Sequence, residues 1–317
     1  MDEPKVVVIG RHWQEEHSEI AFVIRSLAGA ASRLSKTSVF TTHPDAPRAD
    51  GAFDVRHLHL PGEHLWPEQI GSDCAVFVDE LTHEVATLLS KVGPRQVHYL
   101  VAPDETADPS WHPFLLQDPV EAPEPFVKLY VPVNRHATLH RHNGFGFTGY
   151  HLVLSGRTGS HEDPPPEVAW LTAGLHDCHI IVVEDGVAYA WKGRALRGTA
   201  SVDSRMDLWR LVAHACVCVD LSPGRLIARE CIEAMRFGTP VIVPADSGPG
   251  AALASAGRGA TFADPGELLE AASYFRRQDF QSDAASVARQ YADSNHGSPQ
   301  AFVESLQDLI RAPRAPG

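Results

Sequence analysis

Apolar residues along this chain gather into short runs that change period in a regular order. Lys5–Gly10 (KVVVIG) is a continuous apolar run closed by glycine, the pattern of a strand buried on both faces. Over Ser18–Leu34 the period lengthens: Ile20, Val23, Ile24, Leu27, Ala31 and Leu34 recur at steps of three and four or their sums. That is one helical stripe, with Ser18 placed to cap it. Further strands are predicted at Ser38–Thr42, Phe53–Leu60, Cys74–Val78 and Gln96–Val101, with a helix over Glu80–Lys91. The order β-α-β-β-β-α-β describes a small doubly wound domain.

Pro103–Pro125 has another texture. Its six prolines (103, 109, 113, 119, 123 and 125) argue against a regular ladder or a long helix. The segment reads as an irregular link to a second domain, or equally as a long loop over the first. Alternation then resumes: strand at Tyr150–Ser155, helix at Glu167–Leu175, strand at His179–Glu184, helix at Ser204–His214. Strand Cys216–Leu221, helix Leu226–Phe237 and strands Pro240–Val243 and Gly259–Phe262 follow, then helices at Gly266–Arg277, Ser282–Asp293 and Pro299–Arg311. The expected division is 1–125, 126–295, and a closing helix and tail at 296–317. Ligands of such sheets bind beyond the carboxyl ends of the strands, so the loops after strands are the places to search.

Length and charge narrow the functional classes. The 317 residues suffice for about two domains. Lys+Arg 27 against Asp+Glu 40 gives a net charge of −13, which disfavours a general nucleic-acid binder. Hydrophobic residues at 44% and charged residues at 21% are ordinary globular usage. No segment approaches the ~20 apolar residues of a membrane span, and MDEPKVVVIG lacks the basic start of a secretory leader. The five cysteines (74, 178, 216, 218 and 231) show no framework spacing and read as reduced, buried side chains of a cytoplasmic protein. The histidines in NRHATLHRHNG, His136, His140 and His142, sit beside Arg135 and Arg141 with no acidic or thiol ligand near, so no metal is expected there.

The stretch 207–272 carries the most specific pattern. It holds Ser222, Glu233-Ala234-Met235, Gly238-Thr239-Pro240-Val241-Ile242 and Gly248-Pro249-Gly250, preceded upstream by LVLSGR at 152–157 and HIIVVEDG at 179–186. Together these resemble the nucleotide-sugar-binding domain of GT-B glycosyltransferases, especially glycosyltransferase family 4. The resemblance covers about residues 150–275; the first half matches only in architecture. It implies an α/β fold of two Rossmann-like doubly wound domains facing a cleft, with a reduced N-terminal domain. It also implies transfer of a sugar from a nucleoside-diphosphate sugar to an acceptor, with retention and without an obligatory metal or other cofactor.

What the resemblance implies for single residues follows. Arg157, directly after a strand, meets the diphosphate, unless it is only a surface charge at a strand end. Arg225 and His17 join Arg157 as the catalytic set. Glu233 accepts hydrogen bonds from the ribose, or else pairs with Arg229 four residues earlier. Glu230, Ser222, Gly248 and Gly250 complete the donor side. The glycines let backbone approach a phosphate, or serve only to reverse the chain. On the acceptor side stand His12 and Trp13, the latter stacking on a sugar or packing inside. Three positions depart from the family: Arg225 stands where the first of two glutamates is usual, Glu162 where a lysine is, and Ala102-Pro103-Asp104 where a histidine ends a strand. Arg225 and Lys192 are candidates to replace the missing cation. The expected partners are a nucleotide sugar, an acceptor of unread chemistry and further subunits, the same or different. A second reading is a non-catalytic relative that binds or assembles with an active transferase. A third, ranked last, is a sugar-nucleotide epimerase.

Overall fold

A computed structural model describes residues 5–11, 13, 19–41, 55–57, 70–94, 96–100, 112–115, 127–128, 145–155, 165–184, 186–221, 229–247 and 249–311. The chain divides into two units: 1–132 with 298–317, and 133–297. Each is an α/β unit around its own parallel sheet.

The first unit contains β1 (Lys5–Ile9), α1 (Glu19–Leu34), β2 (Thr37–Thr41), β3 (Val55–His57), β4 (Cys74–Val78), α2 (His83–Val92), β5 (Gln96–Leu100), β6 (His112–Leu115) and β7 (Val127–Lys128). The strands pair in parallel in the order β3-β2-β1-β4-β5-β6-β7. β1 and β4 lie at the centre and are apolar on both faces, as their unbroken hydrophobic runs require. On α1 the predicted stripe is the packed one, with Val23, Ile24, Leu27 and Ala31 buried. α2 starts where Thr82 accepts the N–H of Val85 and stops at Gly93, whose φ of 61° suits only a residue without a side chain. The proline-rich segment is corrected here, because His112–Leu115 is a strand beside β5. Proline removes one donor, not a whole ladder, and pairing with β7 begins only at Phe114, after Pro113.

The second unit runs β8 (Tyr150–Leu154), α3 (Pro166–Gly174), β9 (His179–Glu184), β10 (Val187–Lys192), β11 (Ala195–Ser201), α4 (Arg205–His214), β12 (Ala215–Asp220), α5 (Arg229–Phe237), β13 (Val241–Pro244), α6 (Pro249–Leu253), β14 (Gly259–Phe262), α7 (Pro265–Arg276) and α8 (Gln278–His296). The final helix, α9 (Pro299–Arg311), belongs to the first unit and packs on α1. The second sheet has the order β11-β10-β9-β8-β12-β13-β14. β9 to β14 across β8 are parallel, and β10 and β11 add an antiparallel hairpin at one edge. One face packs against α4, α5 and α8 through Leu208, Leu211, Ile232, Met235 and Ala288. The other packs against α3 and α7 through Val168, Leu171, Leu268 and Phe275. Because β8 is central, with β9 on one side and β12 on the other, the chain changes direction between β8 and β12. That is the switch point at which such sheets open a crevice.

His151 in β8 is fully buried, and its Nε2 lies 2.8 Å from the carbonyl oxygen of Ala272 in α7. A carbonyl only accepts, so Nε2 carries a proton. Burial pushes its pKa below 6.5, against the opposing pull of that carbonyl. The unfolded chain therefore binds a proton the folded chain resists. Stability is full above about pH 6.5 and falls as pH drops through the depressed value, by at most about 1.4 kcal/mol per pH unit. His151→Gln is expected to flatten that part of the stability–pH curve between pH 7 and 5, measured by urea unfolding; an unchanged slope would refute the assignment.

Candidate functional site at the carboxyl edge of the second sheet

The carboxyl ends of the central strands gather buried polar side chains. Ser155 follows β8, Glu184 ends β9 and Asp220 ends β12, and all three are buried. Ser155 donates its backbone N–H to the Val183 carbonyl and its hydroxyl to Glu184 Oε1, each at 3.3 Å. Leu221 N–H bonds the Leu154 carbonyl at 2.9 Å, continuing the ladder past the strand ends. Asp220 Oδ2 lies 3.2 Å from the Cys231 sulfur. Burial first, then the charge of Asp220, pushes the Cys231 thiol well above its ordinary pKa, so it is no nucleophile. All five cysteines are buried and unpaired.

Two helices present their amino ends to this edge. α4 runs directly into the start of β12, so its first residue lies at the other end, and α5 follows β12 in the usual right-handed return. A capping box starts α4: Ser204 Oγ accepts the Asp207 N–H, and the Asp207 carboxylate accepts the Ser204 N–H at 3.1 Å. Arg205 then opens α4 and Arg229 opens the described part of α5.

These arginines close on Glu233. Arg205 Nε donates to Glu233 Oε1 at 3.0 Å, and Arg229 Nε donates to the same oxygen at 2.9 Å. Arg205 Nη2 stands 2.7 Å from Glu233 Oε2, a charge contact outside hydrogen-bond alignment, which leaves that buried oxygen without a hydrogen bond. Arg205 Nη1 also pairs with Glu230. Burial pushes the Glu233 carboxyl above its usual range, against the pull of Arg205 and Arg229. Burial acts to lower Arg205, but Glu230 and Glu233 outweigh it and hold the guanidinium above its ordinary value.

The structure thus brings together Glu233 and Glu230 of the expected donor set. It realises the pairing of Glu233 with Arg229 that helical spacing allows. Gly250 is buried in α6, where a Cβ would lie 2.8 Å from Ser247 Oγ, a contact that turning the serine hydroxyl aside would relieve. Lys192 pairs with His179 at the amino end of β9, opposite to this edge, which removes it as a replacement cation. Trp13 is 1% exposed and packs beside Gly10 and Ile24, while its carbonyl accepts Arg25 Nε at 2.8 Å. Packing, rather than stacking on a sugar, accounts for it. Arg157, Arg225, His17, Ser222, Gly248 and His12, with His136, His140 and His142, lie outside the described residues. Among the described residues no three His, Cys, Asp or Glu side chains converge as metal ligands, and no helix is long and apolar enough to cross a membrane.

Arg205 was missed by the sequence reading. One signal marks it: a cation at the first position of a helix opposes the macrodipole, which favours acids there. A capped helix that opens on arginine needs a carboxylate from elsewhere.

No family model matches the chain, and no curated protein matches its sequence. Several solved structures do share its fold. A glycosyltransferase from Rickettsia africae ESF-5 superposes with a TM-score of 0.66 at 9% identity, covering 98% of this chain and 99% of that one. Sucrose-phosphate synthase from Thermosynechococcus elongatus gives 0.64 at 12% identity, with 97% and 98% covered. HepE from Anabaena, solved in complex with UDP and glucose, gives 0.61 at 13% identity, with 97% and 99% covered. The chain has the GT-B fold of these glycosyltransferases, two Rossmann-like units in series.

Proposed function

We propose that the protein is a glycosyltransferase that moves a sugar from a nucleoside-diphosphate sugar to an acceptor, with retention and without a metal. One observation carries this reading: a half-buried arginine–glutamate cluster, built on the buried Glu233 carboxylate, at the carboxyl edge of the second unit in a GT-B fold. The diphosphate of a nucleoside-diphosphate sugar carries about two negative charges and gains about one more as the glycosidic bond breaks, and stabilising it with fixed cations is the main catalytic demand in such a reaction. Arg157, two residues beyond Ser155, and Arg225, in the stretch between β12 and α5, are further cations for that task. The similarity to a protein solved with UDP and glucose supports a nucleotide-sugar donor. A cytoplasmic setting suits five buried, reduced cysteines.

Titration of the intact protein with UDP-, GDP- and ADP-sugars by calorimetry tests the donor. Saturable binding of at least one is expected, and no binding at millimolar concentration would remove the proposal. A second reading rests on Arg225 and Glu162, which replace an expected glutamate and lysine: a protein that binds donor but serves as partner to an active transferase. Donor hydrolysis or transfer to an acceptor panel, present in the wild type and lost in Arg157→Ala, selects the enzyme.

A further inference from the structure

The charged side chains of the cluster share the surface unequally. Glu233 is 1% exposed, while Arg205 is 30%, Arg229 27% and Glu230 21% exposed. Glu233 Oε1 already accepts from both arginines, and Oε2 lies against Arg205 Nη2. Such a carboxylate is poorly placed to receive ligand hydroxyls. It is well placed to hold two guanidiniums still.

Holding them matters energetically. A long arginine side chain carries about 2 kcal/mol of rotamer entropy, lost when a ligand orders it. Anchoring by a buried carboxylate removes most of that cost before the ligand arrives. Each guanidinium offers five N–H donors in a planar fork that matches phosphate oxygens; Arg205 gives Nε to Glu233 and Nη1 to Glu230, and Arg229 gives Nε to Glu233. The amino ends of α4 and α5 add positive potential at the same edge.

We propose that Arg205 and Arg229 grip the diphosphate of the donor, and that Glu233 is their positioning residue rather than the ribose acceptor. The assignment rests on the nucleotide-sugar reading above. It also supplies a cation to a chain that has Glu162 where the family carries lysine, a role that Lys192 cannot fill from the other end of the sheet.

The test uses the full chain and three probes: the tightest-binding of UDP, GDP and ADP, the matching nucleoside, and inorganic pyrophosphate. Calorimetry serves for the tight ligands and ligand-observed NMR for the weak ones. Arg205→Gln and Arg229→Gln are each expected to weaken the diphosphate and pyrophosphate by about tenfold or more, the loss of charge-assisted hydrogen bonds. The nucleoside should change less than about twofold, since it lacks the group these arginines would hold. Arg205→Lys should recover part of the loss, because lysine keeps the charge without the fork. Unchanged diphosphate binding in both glutamine variants would overturn the assignment while leaving the donor reading intact. So would a loss in Glu233→Gln that is as large for the nucleoside as for the diphosphate, which is the signature of ribose recognition. If the wild type binds pyrophosphate through these arginines but no nucleotide, the grip stands and the donor reading falls. If it binds neither, both fall.

Discussion

Gly259→Ala is expected to destabilise the second unit by about 3 kcal/mol or more. Gly259 opens β14 opposite Val241 of β13. A Cβ there would stand 1.9 Å from the Val241 carbonyl oxygen and 2.8 Å from its carbon. Those atoms belong to the paired backbone, so no rotamer change can make room. Either β14 withdraws and its ladder weakens, or β13 shifts and disturbs the buried Ile242 and Val243. Thermal unfolding followed by calorimetry reads the change. Gly257→Ala provides the contrast. Its φ of 81° makes alanine strained there, but a Cβ would meet nothing within 4 Å, so a smaller loss of roughly 1 kcal/mol is expected. Equal melting of the two variants would show that the close approach at Gly259 is not felt.

What the sequence showed of the fold follows burial. Cys74–Val78 and His179–Glu184 are exact because a strand buried on both faces must be apolar throughout, and a continuous run has clear ends. β10 and β11 were missed because they form an edge hairpin. Their buried residues are the small Ala188 and Ala190, and β11 is largely exposed, so little hydrophobic contrast marks them. The turn at Gly193, with φ of 55°, was the available signal. β6 was hidden by Pro113, read as a breaker although one missing donor at a strand start is tolerated.

The site was legible in part, for a different reason. Glu233 could be placed on a helix behind a strand because that information is local. Its main partner, Arg205, stands 28 residues away and reaches it only because α4 and α5 flank the same strand. Spacing along one helix reveals Arg229 but not Arg205. Lys192 shows the converse error: close to the motif in sequence, it is carried to the wrong end of the sheet by the antiparallel return of β10. Charge counting along a chain cannot register that reversal; strand direction can.

Glu233→Ala is expected to cost about 2–4 kcal/mol, because it removes the one carboxylate that both arginines share. The figure lies below that for a fully enclosed pair, since Arg205 and Arg229 are each roughly a third exposed and water can rehydrate them once released. Glu233→Gln should cost less, as the amide oxygen can still accept from one guanidinium while its NH2 faces the other. The decisive measurement is a double-mutant cycle with Arg229→Ala. If the carboxylate anchors the guanidinium, the two losses are not additive, and the double variant should recover about 1 kcal/mol relative to their sum. The same cycle with Arg205→Ala should also show coupling, because Arg205 meets both oxygens of Glu233 through Nε and Nη2. Additivity in both cycles would mean that Glu233 is held by its packing alone, and the arginines would then have no fixed anchor from which to meet a phosphate.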